Sequence, residues 1–139
     1  MNDKNVRGLQ QWVSSIGPDV LVTRMEAQLE KSRFTLFGRI DHAHAARSAG
    51  LFLPFCTVLI FGRPSGGTEL MRVFPTLAID LPSKILVYQR EADVSVVAFT
   101  DLSYTVERHG LQGDRLLAQV DAFDREVHTI ISTVLTDSG

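Results

Sequence analysis

The sequence predicts one α+β domain, with a mixed β-sheet of about five strands, helices packed mainly on one face, and a long C-terminal amphipathic helix. The chain has 139 residues, which is the size of one domain, and 45% of them are hydrophobic, which is enough for a core. Short strand-like segments alternate with helical patterns, and a hairpin pattern follows them. These observations together favour a layered structure of sheet and helices.

The chain shows no internal repeat, low-complexity tract or linker. We therefore treat residues 1–139 as a single domain. The polar first residues, 1–7, and the tail, 136–139, are expected to fray because chain ends make few contacts.

The first half of the chain has the pattern strand, helix, strand, helix, strand. Pro18 and Asp19 begin the first helix, because proline fits a first turn and a carboxylate favours the positive helix end. Asp41 is expected to cap the second helix. The third strand is a continuous apolar run, typical of a strand buried on both faces. The predicted segments are strand 9–14, helix 18–32, strand 34–40, helix 43–49 and strand 55–61.

The second half begins with a glycine-rich loop, 62–67, and ends with the clearest helical pattern in the chain. In that last helix the apolar residues recur every three or four positions over about five turns. Gly110 is a natural C-terminal cap for the helix before it. The predicted segments are helix 68–74, an extended piece 77–79, a hairpin of strands 85–89 and 94–99, helix 102–109 and helix 115–135.

Charge and composition exclude several classes of partner. The formal net charge is -2 and the isoelectric point about 6.0, so no basic field for nucleic acid is present. No apolar stretch is long enough to span a membrane, and the N-terminus lacks an apolar signal core, so a cytoplasmic location is expected. Cys56 is the only cysteine and lies in an apolar run, which indicates a buried thiol.

Four motifs occur in order along the chain, and together they resemble the family known as domain of unknown function 302. The resemblance is strongest over residues 34–110. It implies a small α+β fold and a homodimer, and it implies no particular activity. The motifs are Gly38-Arg39-Ile40-Asp41-His42, Leu59-Ile60-Phe61-Gly62-Arg63-Pro64, Gly67-Thr68-Glu69-Leu70-Met71 and Ile79-Asp80-Leu81-Pro82-Ser83-Lys84.

The sequence departs from that family pattern at two positions. The family commonly has Asn where Arg63 stands, and a second Leu where Ser83 stands. The first departure places a bulky cation among the candidate site residues.

Polar residues follow two successive strands of the predicted sheet. Asp41 and His42 follow one strand, and residues 62–68 follow the next. The connection between them contains a helix and is long enough for a crossover between parallel strands, which would bring both loops to one edge of the sheet. Ligands tend to bind at such an edge. The predicted ligand-binding residues are Asp41, His42, Arg63, Gly67, Thr68, Asp80 and Lys84.

The chemistry of these residues suggests two kinds of site. Asp41 and His42 offer a carboxylate and an imidazole for acid–base catalysis. The glycine loop offers backbone amides, and Arg63 and Lys84 offer positive charge, for a small anion. No metal site and no particular cofactor is predicted.

Structural explanations stand beside the functional ones. Asp41 is expected more often as a helix cap than as a catalyst. Asp80 and Lys84 could form a structural ion pair, and His109 could favour the end of its helix as a cation. These alternatives stay open at the level of the sequence.

These residues and patterns suggest three functions. The first is a binding module for a small molecule or anion. The second is a homodimeric structural or interaction protein, with helix 115–135 and the Phe52–Leu53 pair as candidate interfaces. The third is an acid–base enzyme that uses Asp41 and His42.

Overall fold

The computed structural model describes residues 6–136. The predicted fraying of the chain ends concerns mainly residues outside this range. The described chain contains five strands, five α-helices and one short 3-10 helix. The strands are β1 (Leu9–Ser14), β2 (Thr35–Asp41), β3 (Cys56–Gly62), β4 (Ser83–Glu91) and β5 (Val94–Thr100); the helices are α1 (Pro18–Lys31), α2 (His42–Ser48), α3 (Pro64–Val73), the 3-10 helix (Pro75–Ile79), α4 (Leu102–Arg108) and α5 (Asp114–Thr136).

The five strands form one sheet in the order β1-β5-β4-β3-β2. The α+β class, the five strands and the long C-terminal helix are confirmed. The prediction of a mixed sheet is wrong, because every pair of neighbouring strands is antiparallel. The connection between β2 and β3 contains α2 but returns the chain in the opposite direction, so it is not a crossover between parallel strands.

Two segments differ from the predicted secondary structure. Helix α3 begins at Pro64, so the predicted glycine loop belongs mostly to its first turn. Arg63 precedes the helix with an extended backbone, and proline is favoured at the first helical position, which explains the early start. The predicted extended piece at 77–79 is the second part of the 3-10 helix.

Helices α1 and α5 pack against one face of the sheet and form the main core. The apolar stripe of α5 faces this core with its C-terminal part and a second apolar cluster with its N-terminal part, so the helix finds its partners within the chain. At least Leu21 and Leu29 of α1, Leu59 of β3 and Ile131 of α5 are completely buried. Phe61 lies at the centre of a group of aromatic rings, with a centroid distance of 6.2 Å to Phe123. The helices therefore lie mainly on one face, as predicted.

A second apolar cluster lies under α3, the 3-10 helix and α4, and includes Leu70, Leu77 and Leu102. Asp124 of α5, which is distant in sequence from α4, stabilises the start of that helix at the border of this cluster. Its carboxylate accepts hydrogen bonds from the backbone N–H groups of Leu102 (2.7 Å) and Ser103 (2.9 Å), the first residues of α4. A buried carboxylate thus caps a helix to which it is not adjacent in sequence.

The other face of the sheet is apolar but belongs to neither cluster. Side chains alternate between the two faces of a strand, so the residues between the core positions point to this face. Val96 and Ala98 are buried, whereas Val13 is 60% exposed. The apolar residues of this open face include Val13, Ile40, Val58, Ile60, Leu86, Tyr88, Val96 and Ala98.

Candidate functional site

The antiparallel pairing of β2 and β3 separates the two loops that were expected to lie together. Asp41 at the end of β2 pairs with Thr57 near the start of β3. Gly62 at the end of β3 pairs with Thr35 at the start of β2. Asp41 and His42 therefore lie at one end of these two strands, and Thr68 lies beyond the opposite end. The predicted convergence of these residues in one pocket is wrong.

Asp41 acts as a helix cap. Its Oδ1 accepts a hydrogen bond of 2.8 Å from the backbone N–H of His44, which confirms the structural alternative. His42 begins α2 with an exposed side chain. Burial, and secondarily the charge of Asp41, raise the pKa of the Cys56 thiol, so this cysteine is not an activated thiolate.

Asp80 pairs with residues at the end of α4 and not with Lys84. Its Oδ2 lies 2.6 Å from Nε2 of His109 and also contacts the guanidinium of Arg108. These partners, the hydrogen bond from His109 first, hold the pKa of the Asp80 carboxyl below its usual value. The ammonium of Lys84 instead donates to the backbone oxygen of Pro82 at 3.1 Å. The predicted Asp80–Lys84 pair is absent among the described residues.

A cavity of about 730 Å³ opens beside α3 at the end of β3. This volume lies within the range typical of sites for small organic molecules. Arg63, Gly67 and Thr68 line it, whereas Asp41, His42, Asp80 and Lys84 do not. The remaining wall comes from α5 and from the start of β4. The lining consists of Phe37, residues 62–71, residues 81–83, Leu102 and residues 119, 120, 122, 123 and 126.

Arg63 is the cationic group of the lining, and both of its Nη atoms donate hydrogen bonds. Its Nη1 and Nη2 donate to the two carboxylate oxygens of Glu126 at 2.8 and 2.7 Å. Nη2 also donates to the backbone oxygen of Ser32 at 2.6 Å, and Cζ lies 3.8 Å from the centroid of the Phe34 ring. Such a two-bonded, stacked arrangement suits arginine and not lysine.

The pair also shifts the titration of both partners. The hydrogen bond from Arg63 lowers the pKa of Glu126, and the hydrogen bond to Glu126 raises the pKa of Arg63. The second carboxylate of the lining, Glu69, contacts Arg115 at 3.2 Å. The lining thus holds one paired cation and two carboxylates, which leaves no free positive charge for an anion.

The cavity offers apolar surface and a few uncommitted polar groups. Leu70, Met71 and Phe123 contribute apolar side chains. Among residues 6–136 the side chains of Thr68 and Gln119 have no hydrogen-bond partner, so both can bond a ligand. Gly66 and Gly67 add no side chains to this wall of the cavity. A Cβ at Gly66 would meet no atom within 4 Å, so the space beside this residue is open.

Sequence reasoning missed the contribution of α5 to this site. Glu126 is 63 positions from Arg63, and no local pattern relates the two residues. Phe123 belongs to the apolar stripe of α5, and it also lines the cavity. Arg63 and Ser83, the two positions that depart from the family pattern, both lie in the lining.

Within residues 6–136 no cluster of three or more His, Cys, Asp or Glu side chains is arranged to hold a metal ion. No helix in the same range is both long and apolar enough to cross a membrane.

Three curated proteins match part of the chain, and they include fluoride-specific ion channel FluC 1 of Brucella suis biovar 1 and fluoride-specific ion channel FluC 2 of Brucella melitensis biotype 1. Each is 32% identical over 90 residues, which is 65% of this chain. The match covers 35% of the first protein and 33% of the second, so the chain spans about a third of their length.

A solved structure has the same fold. The crystal structure of an uncharacterized conserved protein from Bacillus stearothermophilus superposes with a TM-score of 0.74, covering 94% of this chain and 97% of that one at 17% identity. The family model described as domain of unknown function DUF302 matches residues 10–133. The match runs from the second residue of β1 to within three residues of the end of α5, so the chain belongs to the DUF302 family.

Proposed function

We propose that this protein binds a small, largely apolar molecule in the cavity between α3 and α5. The observation that supports this most directly is the cavity itself, of about 730 Å³, lined mainly by apolar side chains with Thr68 and Gln119 free to hydrogen-bond among the described residues. Sites for small molecules commonly combine apolar walls with a few polar groups that orient the ligand.

The charges of the lining favour a neutral ligand over the anion expected from the sequence. The charge of Arg63 is neutralised by Glu126, and that of the second carboxylate, Glu69, by Arg115. An anion that bound the same Nη groups as Glu126 would have to displace this carboxylate from a two-bonded pair, and that costs charge-assisted hydrogen bonds. A hydroxyl or amide group on an apolar ligand would find partners without this loss.

A filled-cavity variant tests the proposal. Ala122 of α5 lines the cavity and is exposed, so Ala122→Trp should fill the space without disturbing the core. Ala118 is one turn earlier on the same helix and outside the lining, so Ala118→Trp is the matched control. The probe is Nile red, a neutral apolar dye whose fluorescence rises when it leaves water.

The wild-type protein and Ala118→Trp should bind Nile red with similar affinity, and Ala122→Trp should bind it at least tenfold more weakly, about 1.4 kcal/mol. A screen of neutral fragments by thermal shift on the same three proteins then identifies the ligand class. Equal dye binding by Ala122→Trp and Ala118→Trp would contradict the proposal.

A homodimer is the second candidate, and the open face of the sheet supports it. Strands β3 and β5 carry apolar residues on both faces, whereas an antiparallel sheet that faces water normally alternates apolar and polar residues. The partly exposed residues at the centre of the open face (Val58, Ile60, Leu86) are uncharged, so a second copy could pack against them sheet to sheet.

The oligomeric state in solution checks this candidate. Light scattering after gel filtration should give twice the chain mass, and Leu86→Lys should give the monomer mass. Ile40→Glu changes an exposed position on the same face and is the second variant. Phe52→Glu is the control, because Phe52 is 82% exposed in the connection before β3. A wild-type monomer at all concentrations, or dissociation by Phe52→Glu alone, would sink the proposed interface.

Fluoride is the ligand that the names of the partial relatives suggest. The matched segment is about a third of each relative, so its part in their activity is a proposal. In the thermal-shift assay, sodium fluoride should be compared with sodium chloride at equal ionic strength. A rise in melting temperature with fluoride and not with chloride would support a role for this chain alongside fluoride transport.

The acid–base enzyme built on Asp41 and His42, and the cytoplasmic location, stay predictions. Asp41 and His42 do not line the cavity, and the Asp41 carboxylate is engaged as a helix cap.

A further inference from the structure

We infer that Thr76, His109 and Asp80 form a nucleophile–base–carboxylate relay that can carry out acyl transfer from small esters. The Thr76 hydroxyl lies 2.8 Å from Nδ1 of His109, and Nε2 of the same ring lies 2.6 Å from Oδ2 of Asp80. None of the three residues lines the cavity, so this inference is independent of the proposed function.

Three elements of the fold bring these residues together. Thr76 is on the 3-10 helix, Asp80 directly follows that helix, and His109 is the residue after α4. The buried side chain of Leu77 anchors the 3-10 helix in the second apolar cluster. The separation of 33 positions between Thr76 and His109 means that the arrangement exists only in the folded protein.

The burial of the group suits its roles. The His109 side chain is only 9% exposed, which holds the ring in place, whereas Thr76 is exposed and can meet a substrate. Asp80 is the acceptor on the far side of the ring, and its lowered pKa keeps it ionised at neutral pH. An ionised carboxylate at Nε2 selects the tautomer that carries the proton there and leaves Nδ1 free to accept one.

The proposed reaction balances without a cofactor. The Thr76 oxygen attacks the ester carbonyl carbon while its proton passes to Nδ1 of His109. The bond from carbon to the leaving oxygen then breaks, and Nδ1 returns the proton to the departing alcohol. Water, activated by the same nitrogen, attacks the acyl-threonine and releases the acid, so the protein ends unchanged.

The surroundings define the class of ester. Arg108 contacts the same Asp80 oxygen as His109, so its guanidinium stabilises the carboxylate and leaves the Thr76 side of the ring open to a substrate. Ile79, 80% exposed, offers an apolar contact for a short acyl chain. The site is open, which suits small activated esters better than extended ones.

The experiment uses p-nitrophenyl acetate, with nitrophenolate release followed by absorbance and acyl-protein followed by mass spectrometry. Wild-type protein that is quenched with acid during turnover should carry one acetyl group on Thr76. Thr76→Val should lose the adduct and lower kcat/KM about 10²-fold or more, and Thr76→Ser should keep both. His128→Gln is the control, because His128 also pairs with a carboxylate, that of Asp101, at a different place.

Asp80 is a positioning residue, so its variant needs a different readout. Asp80→Asn should lower the kcat of acylation and leave KM unchanged, because an amide can donate to Nε2 and hold the ring in the tautomer whose Nδ1 carries the proton. Circular dichroism confirms the fold of each variant. No adduct on wild-type Thr76, or equal rates for wild type and Thr76→Val, would overturn the inference.

Discussion

Arg63 and Glu126 form a two-bonded ion pair that ties the start of α3 to the middle of α5. The nitrogen–oxygen distances are 2.8 and 2.7 Å, and the guanidinium also stacks on Phe34. Because both residues line the cavity, the pair fixes the distance between two of its walls.

Breaking this pair should lower stability modestly. The two side chains are 36% and 37% exposed, so solvent screens much of their attraction. We expect Arg63→Gln and Glu126→Gln each to cost about 1 kcal/mol, with a coupling of about 0.5–1 kcal/mol in the double-mutant cycle measured by urea unfolding. A coupling indistinguishable from zero would show that the two residues act independently.

The pair should also make stability depend on acid pH. Arg63 lowers the pKa of Glu126 below its ordinary value of 4.5, so the contribution is present above that value and is lost as pH falls through the folded pKa. Urea unfolding from pH 6 to pH 3 should therefore show a shallower loss of stability in Glu126→Gln than in wild type. Identical slopes would contradict this assignment.

Asp124 should change the pH dependence of stability in the direction opposite to that of Glu126. Burial raises its pKa above the ordinary 3.8, although hydrogen bonds from the start of α4 oppose the shift. Since the folded form holds this proton more tightly, Asp124 adds stability as pH falls through its folded pKa. We expect Asp124→Asn to steepen the acid loss of stability in urea unfolding. A shallower acid loss of stability in Asp124→Asn than in wild type would contradict a raised pKa of Asp124 in the folded protein.

Truncating Asp124 should be costly at neutral pH. Asp124→Ala leaves the N–H groups of Leu102 and Ser103 without their acceptor, in a place that is only partly open to water. The expected loss is about 2–3 kcal/mol, whereas Asp124→Asn keeps one acceptor and should lose less. Chemical denaturation of both variants measures this, and equal losses would show that the carboxylate does not cap α4.

Two glycines with nearly the same positive φ allow the cost of backbone strain to be distinguished from the cost of a steric clash. Gly8 has φ +80°, and a Cβ there would lie 2.4 Å from Cγ of Tyr104. Gly110 has φ +84°, and a Cβ there would meet nothing within 4 Å. We expect Gly110→Ala to cost about 1 kcal/mol and Gly8→Ala clearly more, because Tyr104 must also move. Thermal unfolding compares them, and equal losses would rule out the clash.

Much of the fold could be predicted from the sequence because it depends on near neighbours. Strand β1 and helix α1 lie within one residue of their predicted bounds, as does the beginning of α5. The cap at Asp41 was also foreseen, as the structural alternative to a catalytic role. Apolar periodicity, proline at a first turn and a carboxylate before a helix act over a few residues, so the chain shows them directly.

The direction of β3 against β2, and with it the site, was decided only by the tertiary structure. The connection from β2 to β3 is long enough for a parallel or an antiparallel return, and either would bury the alternate residues of β3, so no local pattern chooses between them. Arg63 meets Glu126 across 63 positions, and Asp80 meets His109 across 29, after the helices have packed on the sheet. Local preferences set the elements of this protein, whereas the burial of α1 and α5 on a shared face set which polar residues became neighbours.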